Sequence, residues 1–286
     1  MSTSAPASRS VRDALYEAPG PRTRRRVRIA TAISLILVVA ALAAIGHRFY
    51  ITGQFAPRYW TFFAKATTWK FLLQGFAGTV RVALTAGAIA LALGLLLMLG
   101  RISHVKALST VCRIVTDFFR SLPSLLLIYF FFLIVPQYGI KMSSFWMLTL
   151  PVALAASGVL AEVFRAGVNA VPKGQVEAAL SLGMSPLRTT FKIVLPQAIR
   201  FVIPSLISQL VVVVKDTTVA YVVSYPDLMQ NARVLITNYD ALVSVYFTIA
   251  IIYILINYAI NQASIYVSHR LGVKIIRQPK QRWNAI

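Results

Sequence analysis

Apolar runs close to twenty residues alternate with short polar, basic connectors along most of the chain. The runs fall at about 29–46, 76–99, 119–135, 145–164, 199–214 and 241–266. A run of that length matches the hydrocarbon core of a bilayer. In lipid the backbone has to satisfy its own polar groups, so each run predicts a transmembrane helix. The expected fold is therefore an all-α integral membrane protein with six transmembrane helices. In the second run Ala86, Ala90 and Gly94 recur every four residues, a stripe suited to close helix–helix packing. Tyr50, Tyr59, Trp60 and Trp69, in the connector 47–70, suit an interfacial aromatic belt. Pro123, near the start of the third run, loosens its first turn. The first run has a rival reading as a signal peptide, with Ala41-Leu42-Ala43 as a cleavage-like site. The long polar stretch ahead of it favours a retained helix.

One connector, 171–200, is unlike the others: V-P-K-G-Q-V-E-A-A-L-S-L-G-M-S-P-L-R-T-T-F-K-I-V-L-P-Q-A-I-R. It reads as two short helices with a sharp corner. Gln175 to Leu182 is helix-prone, and Gly183 follows where a left-handed turn needs no Cβ. Ser185 is a good N-cap and Pro186 sits at the first helical position, where its missing N–H costs nothing. The second helix runs past Lys192 and Ile193 until Pro196 perturbs it. Val176, Ala179, Leu180 and Gly183 share one face of the first helix. Small Ala178, Ala179 and Gly183 allow close approach of another surface, and Glu177 offers it a charge. The stretch is expected to be an exposed docking elbow.

Composition agrees with the pattern: 58% of residues are hydrophobic and 13% charged, against about a quarter charged in a soluble domain. The net charge of +21 raises the question of nucleic acid, but the excess sits in loops and tails between apolar runs, which excludes that class. With the N-terminus inside, the N-tail, 101–120, 165–200 and the C-tail hold 21 of the 29 Lys and Arg residues. The outside segments 47–70, 136–144 and 215–240 hold 7. Positive residues concentrate on the cytoplasmic side, so both termini and the elbow are expected there. Residues 1–28 read as a basic disordered tail whose Arg22, Arg24, Arg25, Arg26 and Arg28 abut the first helix (29–46). Residues 269–286 form a second basic tail.

No Gly-Lys-Ser or Gly-Lys-Thr occurs, so there is no Walker A loop and no ATPase activity is expected of the chain itself. His47, His104 and His269 are scattered and Cys112 is alone. The sequence calls for no metal, no cofactor and no catalytic residue. Charges in or near the spans are the candidates instead. Arg81 either snorkels to outer headgroups or contacts an anionic substrate. Glu162 and Arg165, three apart on one face, form either a local pair that reduces the cost of burial or a gate or subunit contact. Ser205, Ser208, Gln209, Lys215 and Asp216 form one polar stripe on an otherwise Val/Ile/Leu helix. That stripe must face protein or water. It supplies either interhelical hydrogen bonds or the wall of a translocation path, with Lys215 and Asp216 placed to answer an α-carboxylate and an α-amino group.

The elbow resembles the EAA loop of ABC importer permeases through Glu177, Ala178, Ala179, Gly183, Ile193, Leu195 and Pro196. F-F-R-S-L-P (118–123), A-E-V-F-R-A-G-V (161–168), L-P-Q-A-I-R (195–200) and K-D-T-T (215–218) are similar to the polar amino-acid branch, the histidine, glutamine and glutamate type. Ser121–Leu122 stands where that branch usually has Gly–Thr, and Gly158–Val159–Leu160 where it more often has Gly-Ala-Tyr. The resemblance covers roughly 75–268, with the elbow at 166–198. It implies a type I importer in the bacterial cytoplasmic membrane, with a five-helix core and the first helix as an addition. It further implies that Glu177, Ala178, Ala179 and Gly183, with Ser185 at the corner, dock a separate ABC ATPase subunit. Its other implied partners are a second permease subunit (a related different chain or a second copy), an extracytoplasmic substrate-binding protein, and a polar amino acid such as glutamate. A secondary carrier or a membrane scaffold is the alternative. A carrier usually shows an internal repeat around a midplane site, and no clear repeat is present.

Overall fold

The computed structural model describes residues 20–270, and every regular element in that range is helical. The N- and C-terminal tails expected at 1–28 and 269–286 lie largely outside the described residues. The chain divides into two compact units at Pro57. The first unit contains α1, Pro21–Ile51, 31 residues long. It begins earlier than the apolar run, so Arg22 to Arg28 are helical rather than tail. Pro21 at the first position starts the helix without wasting a donor. None of its residues is buried.

The second unit contains α2 (Ala66–Arg101), α3 (Lys106–Ser121), α4 (Ser124–Leu133), α5 (Ser144–Ala170), α6 (Lys173–Ser181), α7 (Pro186–Thr189), α8 (Leu195–Asp216), α9 (Leu228–Tyr239) and α10 (Leu242–Arg270). A 3-10 segment, Thr217–Val223, follows α8. Five helical stretches of the described chain are long and apolar enough to cross a membrane, and a sixth crossing is available if α3 and α4 count as one broken span.

That pair corrects the expectation of a straight third helix at 119–135. Residues 106–121 are helical, not a loop, and the chain turns by 95° between α3 and α4. Pro123 drives the turn. It excludes the residue before it from helical backbone, and Leu122 is extended at ψ 131. With ten residues, α4 rises only about 15 Å. A second correction concerns 224–239, expected as a polar connector, where α9 forms instead.

α5 is the most buried of the long helices, and three neighbours reach its backbone through missing side chains. The predicted α2 stripe is in place: Ala86 and Ala90 are fully buried, and a Cβ on Gly94 would lie 2.8 Å from Leu160 Cβ and 3.1 Å from Ala161 N. On another side, a Cβ on Gly158 would lie 2.7 Å from Arg120 N and 2.9 Å from Thr116 O of α3. Near the end of α5, a Cβ on Gly167 would lie 2.8 Å from Ala198 O of α8. Helices in lipid gain little from the hydrophobic effect, so such close approach is the main source of adhesion between them. Leu148, Val152, Ala153 and Leu160 of α5 complete the core with Val82, Met98 and Ile128.

Gly158→Val is expected to lower stability by about 1–3 kcal/mol, because the nearest obstacles are backbone atoms that cannot swing aside. Gly174, with open space around its Cβ position, is the control: Gly174→Ala in α6 is neutral or gains up to about 1 kcal/mol from helix propensity. Thermal unfolding of the purified protein in detergent, followed by intrinsic fluorescence, separates the two.

Candidate functional site

The elbow forms from its own sequence. α6 closes in a Schellman arrangement, with Gly183 N–H donating to Leu180 O (2.9 Å) and Met184 N–H to Ala179 O (3.1 Å). Gly183 adopts φ +77, the left-handed geometry that the motif needs. Ser185 then caps α7, accepting from Arg188 N–H at 3.5 Å, with Pro186 at the first position. Pro196 perturbs the second helix, as expected, but does not end it. A π turn, Thr190–Val194, widens the helix by one residue ahead of it, and Leu195 N–H reaches back to Thr190 O. The extra residue accommodates a ring that cannot donate. The side-chain amide of Gln197 donates to Ile193 O at 2.9 Å. The elbow therefore runs into α8 without a break.

Its surface differs from the predicted face. Ala179 is buried and Val176 packs towards Val171, Val194 and Ala198, so this side of α6 turns inward. Glu177, Ala178, Gly183 and Ser185 are exposed. Beside them stand Leu182 at 85% and Leu187 at 69% exposure, with Leu180 and Phe191 also exposed. Exposed large apolar side chains on so short a segment mark a candidate interaction surface.

The polar stripe of α8 is only partly covered by the rest of the chain. Ser205, Ser208 and Lys215 are exposed, Gln209 and Asp216 half-buried, and the intervening Val212 is exposed. The Ser208 hydroxyl donates back to Pro204 O at 2.9 Å, and Ser124 of α4 lies within hydrogen-bonding reach of Asp216. Beyond them Thr217 is buried and Thr218 folds back onto Lys215 O, so the K-D pair rather than the T-T pair is presented.

Arg81 and Glu162 belong to other places. The Arg81 guanidinium lies 4.8 Å from the centre of the Phe145 ring. It lines a groove of about 410 Å³ with Gln74, Tyr225 and Asn231. Glu162 accepts from Arg165 Nε at 2.8 Å, the predicted local pair, and also from Arg101 Nη1 at 2.5 Å. Arg101, at the end of α2, was not foreseen as its partner.

The sequence reading also missed the seat of α9. Asp227 is fully buried and caps α9, with Oδ1 accepting from Gln230 N–H at 2.7 Å. Leu228 N–H donates to Thr79 Oγ1 (3.1 Å) and the Asn231 amide to Phe71 O (2.7 Å). Gly75 and Gly78 let the backbone at Pro226 and Asp227 press against α2. Asp227 with Gln230 three residues on, ahead of an apolar periodic run, is a capping-box signature. That signal was available in the sequence.

Taken together, these features define a helical membrane subunit with an uncovered elbow at one end and a partly covered polar face along one helix. The family described as binding-protein-dependent transport system inner membrane component matches residues 90–273. The chain belongs to that family, the permease subunits of ABC importers. It is 33% identical to the glutamate transport system permease protein GluD of Corynebacterium glutamicum, over 77% of this chain and 82% of that one. It is 34% identical to the probable glutamine ABC transporter permease protein GlnP of Bacillus subtilis, over 71% and 93%. Among solved structures, an amino acid ABC transporter described as crystallised with histidines matches with a TM-score of 0.69 and 25% identity, over 73% of this chain and 98% of that one. The MetNI methionine transporter in inward-facing form matches in fold, with a TM-score of 0.61 and 18% identity over 72% and 99%.

Burial raises the Asp227 carboxyl from its ordinary 3.8 to about 6, against the lowering effect of the N–H groups that it caps. A carboxyl raised on folding contributes stability below pH 4 that is lost as pH rises through 6. Asp227→Asn retains the cap, since the two residues cap alike. The variant is expected to match the wild type at pH 4 and to melt at higher temperature than it at pH 8, as read by unfolding scans across that range.

Proposed function

We propose that the chain, paired with a second permease subunit, forms the membrane path of an ATP-driven importer for a polar amino acid, with glutamate the first candidate. An extracytoplasmic binding protein delivers the substrate, and a separate ABC ATPase docks on the elbow from the cytoplasm. The carrying observation is the elbow itself, rigidly capped yet bare, with Glu177, Ala178, Leu182, Gly183 and Leu187 on its surface. A carrier or scaffold has no use for such a handle. The substrate class follows from relatives named for glutamate and glutamine, and others named for arginine and cystine.

In this reading, nucleotide binding closes the ATPase pair and favours one arrangement of the permease over the other, which is what drives alternation. The elbow passes the movement into α8. Ser205, Ser208, Gln209, Lys215 and Asp216 then line the path against the second permease, with Lys215 and Asp216 answering the substrate's carboxylate and amino groups, and Arg81 at its edge. The domain layout is an added first helix, Pro21–Ile51, whose apolar stretch 29–46 crosses the membrane, a transport core at 75–268 with the coupling loop at 166–198, and both termini in the cytoplasm.

The test is affinity purification of the tagged chain from solubilised membranes, beside a Glu177→Arg, Leu182→Asp variant. Both positions are exposed, so the variant is expected to fold. The wild type is expected to bring down an ATPase, and the variant about tenfold less, the usual cost of removing a central contact. Equal recovery from both overturns the elbow assignment. The amino acid retained by any co-purifying binding protein names the substrate.

A further inference from the structure

The contact between α2 and α5 is made of small and apolar residues, Ala86, Ala90, Gly94 and Met98 on one side and Leu160 and Ala161 on the other. The exception is at the end nearest the elbow. Glu162 of α5 accepts from Arg101 Nη1 through one oxygen at 2.5 Å and from Arg165 Nε through the other at 2.8 Å. The Arg101 and Glu162 side chains are 12% and 18% exposed, and Arg165 is 41% exposed. Among the described residues this is the ion pair that joins two different long helices, the other two lying within one helix. Arg101 also binds the next element, its carbonyl accepting from Ser109 Oγ of α3 at 2.7 Å.

Glu162 lies eight residues before the end of α5, about 12 Å along its axis. In that interval Gly167 presses on the backbone of Ala198, so the end of α5 and the start of α8, which flank the elbow, are in direct backbone contact. At Glu162 the directional, charge-assisted bonds to Arg101 replace a smooth apolar contact.

We propose that Glu162 is a positioning residue for energy coupling: it clamps the elbow-bearing helix to Arg101, so that α2 and α3 follow when the ATPase moves the elbow. This rests on the elbow being the ATPase seat. The charges give the clamp an asymmetry. Glu162→Gln leaves two guanidinium groups without their anion. Arg165→Gln leaves the Arg101–Glu162 link intact. Arg101→Gln with Glu162→Gln removes the link without leaving a charge imbalance in the pair.

The test uses the complete complex, with its ATPase, reconstituted in proteoliposomes. ATP hydrolysis is measured with and without the binding protein, loaded with glutamate or glutamine according to which it retains, and amino acid imported per ATP is measured in parallel. Glu162→Gln and the double variant are expected to retain the ATPase on purification. Their stimulation by the loaded binding protein and their import per ATP are expected to fall about tenfold, the scale of an ordinary allosteric coupling. Arg165→Gln is expected to stay within about twofold of wild type, as an exposed pair contributes little. Wild-type coupling in the double variant overturns the proposal, because a link that transmits movement cannot be dispensable. Failure of both Glu162 variants to assemble also overturns it, reducing the triad to a structural support. A wild type that binds no ATPase overturns the elbow assignment itself, and this inference with it.

Discussion

The structure depends on how closely backbones approach α5. Gly94, Gly158 and Gly167 mark three places where a neighbouring helix occupies the space of a Cβ, and each belongs to a different pairing: α2, α3 and α8. In a bilayer the surrounding lipid is as apolar as leucine, so side-chain burial does little to choose one helix pairing over another. Contact distance does that work. α5 is consequently the axis of the second unit, and the elbow follows it after the extended residues Val171 and Pro172.

The placement explains why the elbow is rigid although it lies outside the packed bundle. Its first helix is closed by hydrogen bonds of the Gly183 turn, its second is capped by Ser185, and the π turn passes directly into α8. Val176 and Ala179 hold it to the bundle from within. Whatever seats on Leu182 and Leu187 therefore pushes on a connected lever rather than a loose loop. At the opposite end of α2, α9 is bolted down by Thr79, Asn231 and the buried Asp227, so both ends of the bundle are fastened by polar groups and its middle by small ones.

Much of this could be read from the chain because apolar run length, small-residue spacing and capping residues are local signals. The Ala86–Ala90–Gly94 stripe, the Gly183 turn, the Ser185 cap and the Glu162–Arg165 pair all lie within a few residues of one another. What was missed required knowledge across the fold or a choice between two outcomes of one residue. Arg101 is 61 residues from Glu162. Pro123 turned the chain while Pro196 was absorbed by a π turn, and a proline in sequence does not say which will happen. The inward turn of Ala179 reflects the packing of α6 on the following segment, which helical periodicity alone does not orient. The capping box at Asp227 was legible, but the low hydropathy around it favoured a connector.

The partly covered polar row on α8 also bears on the life of the chain before it functions. Ser205, Ser208 and Lys215 are exposed and Gln209 and Asp216 only half-buried by the chain's own helices, and hydrocarbon offers exposed polar groups no hydrogen bonds. A solitary copy in the bilayer is thus an unfinished object, recognisable as such by membrane quality control. Production of the chain without whatever covers this face should end in proteolysis rather than accumulation.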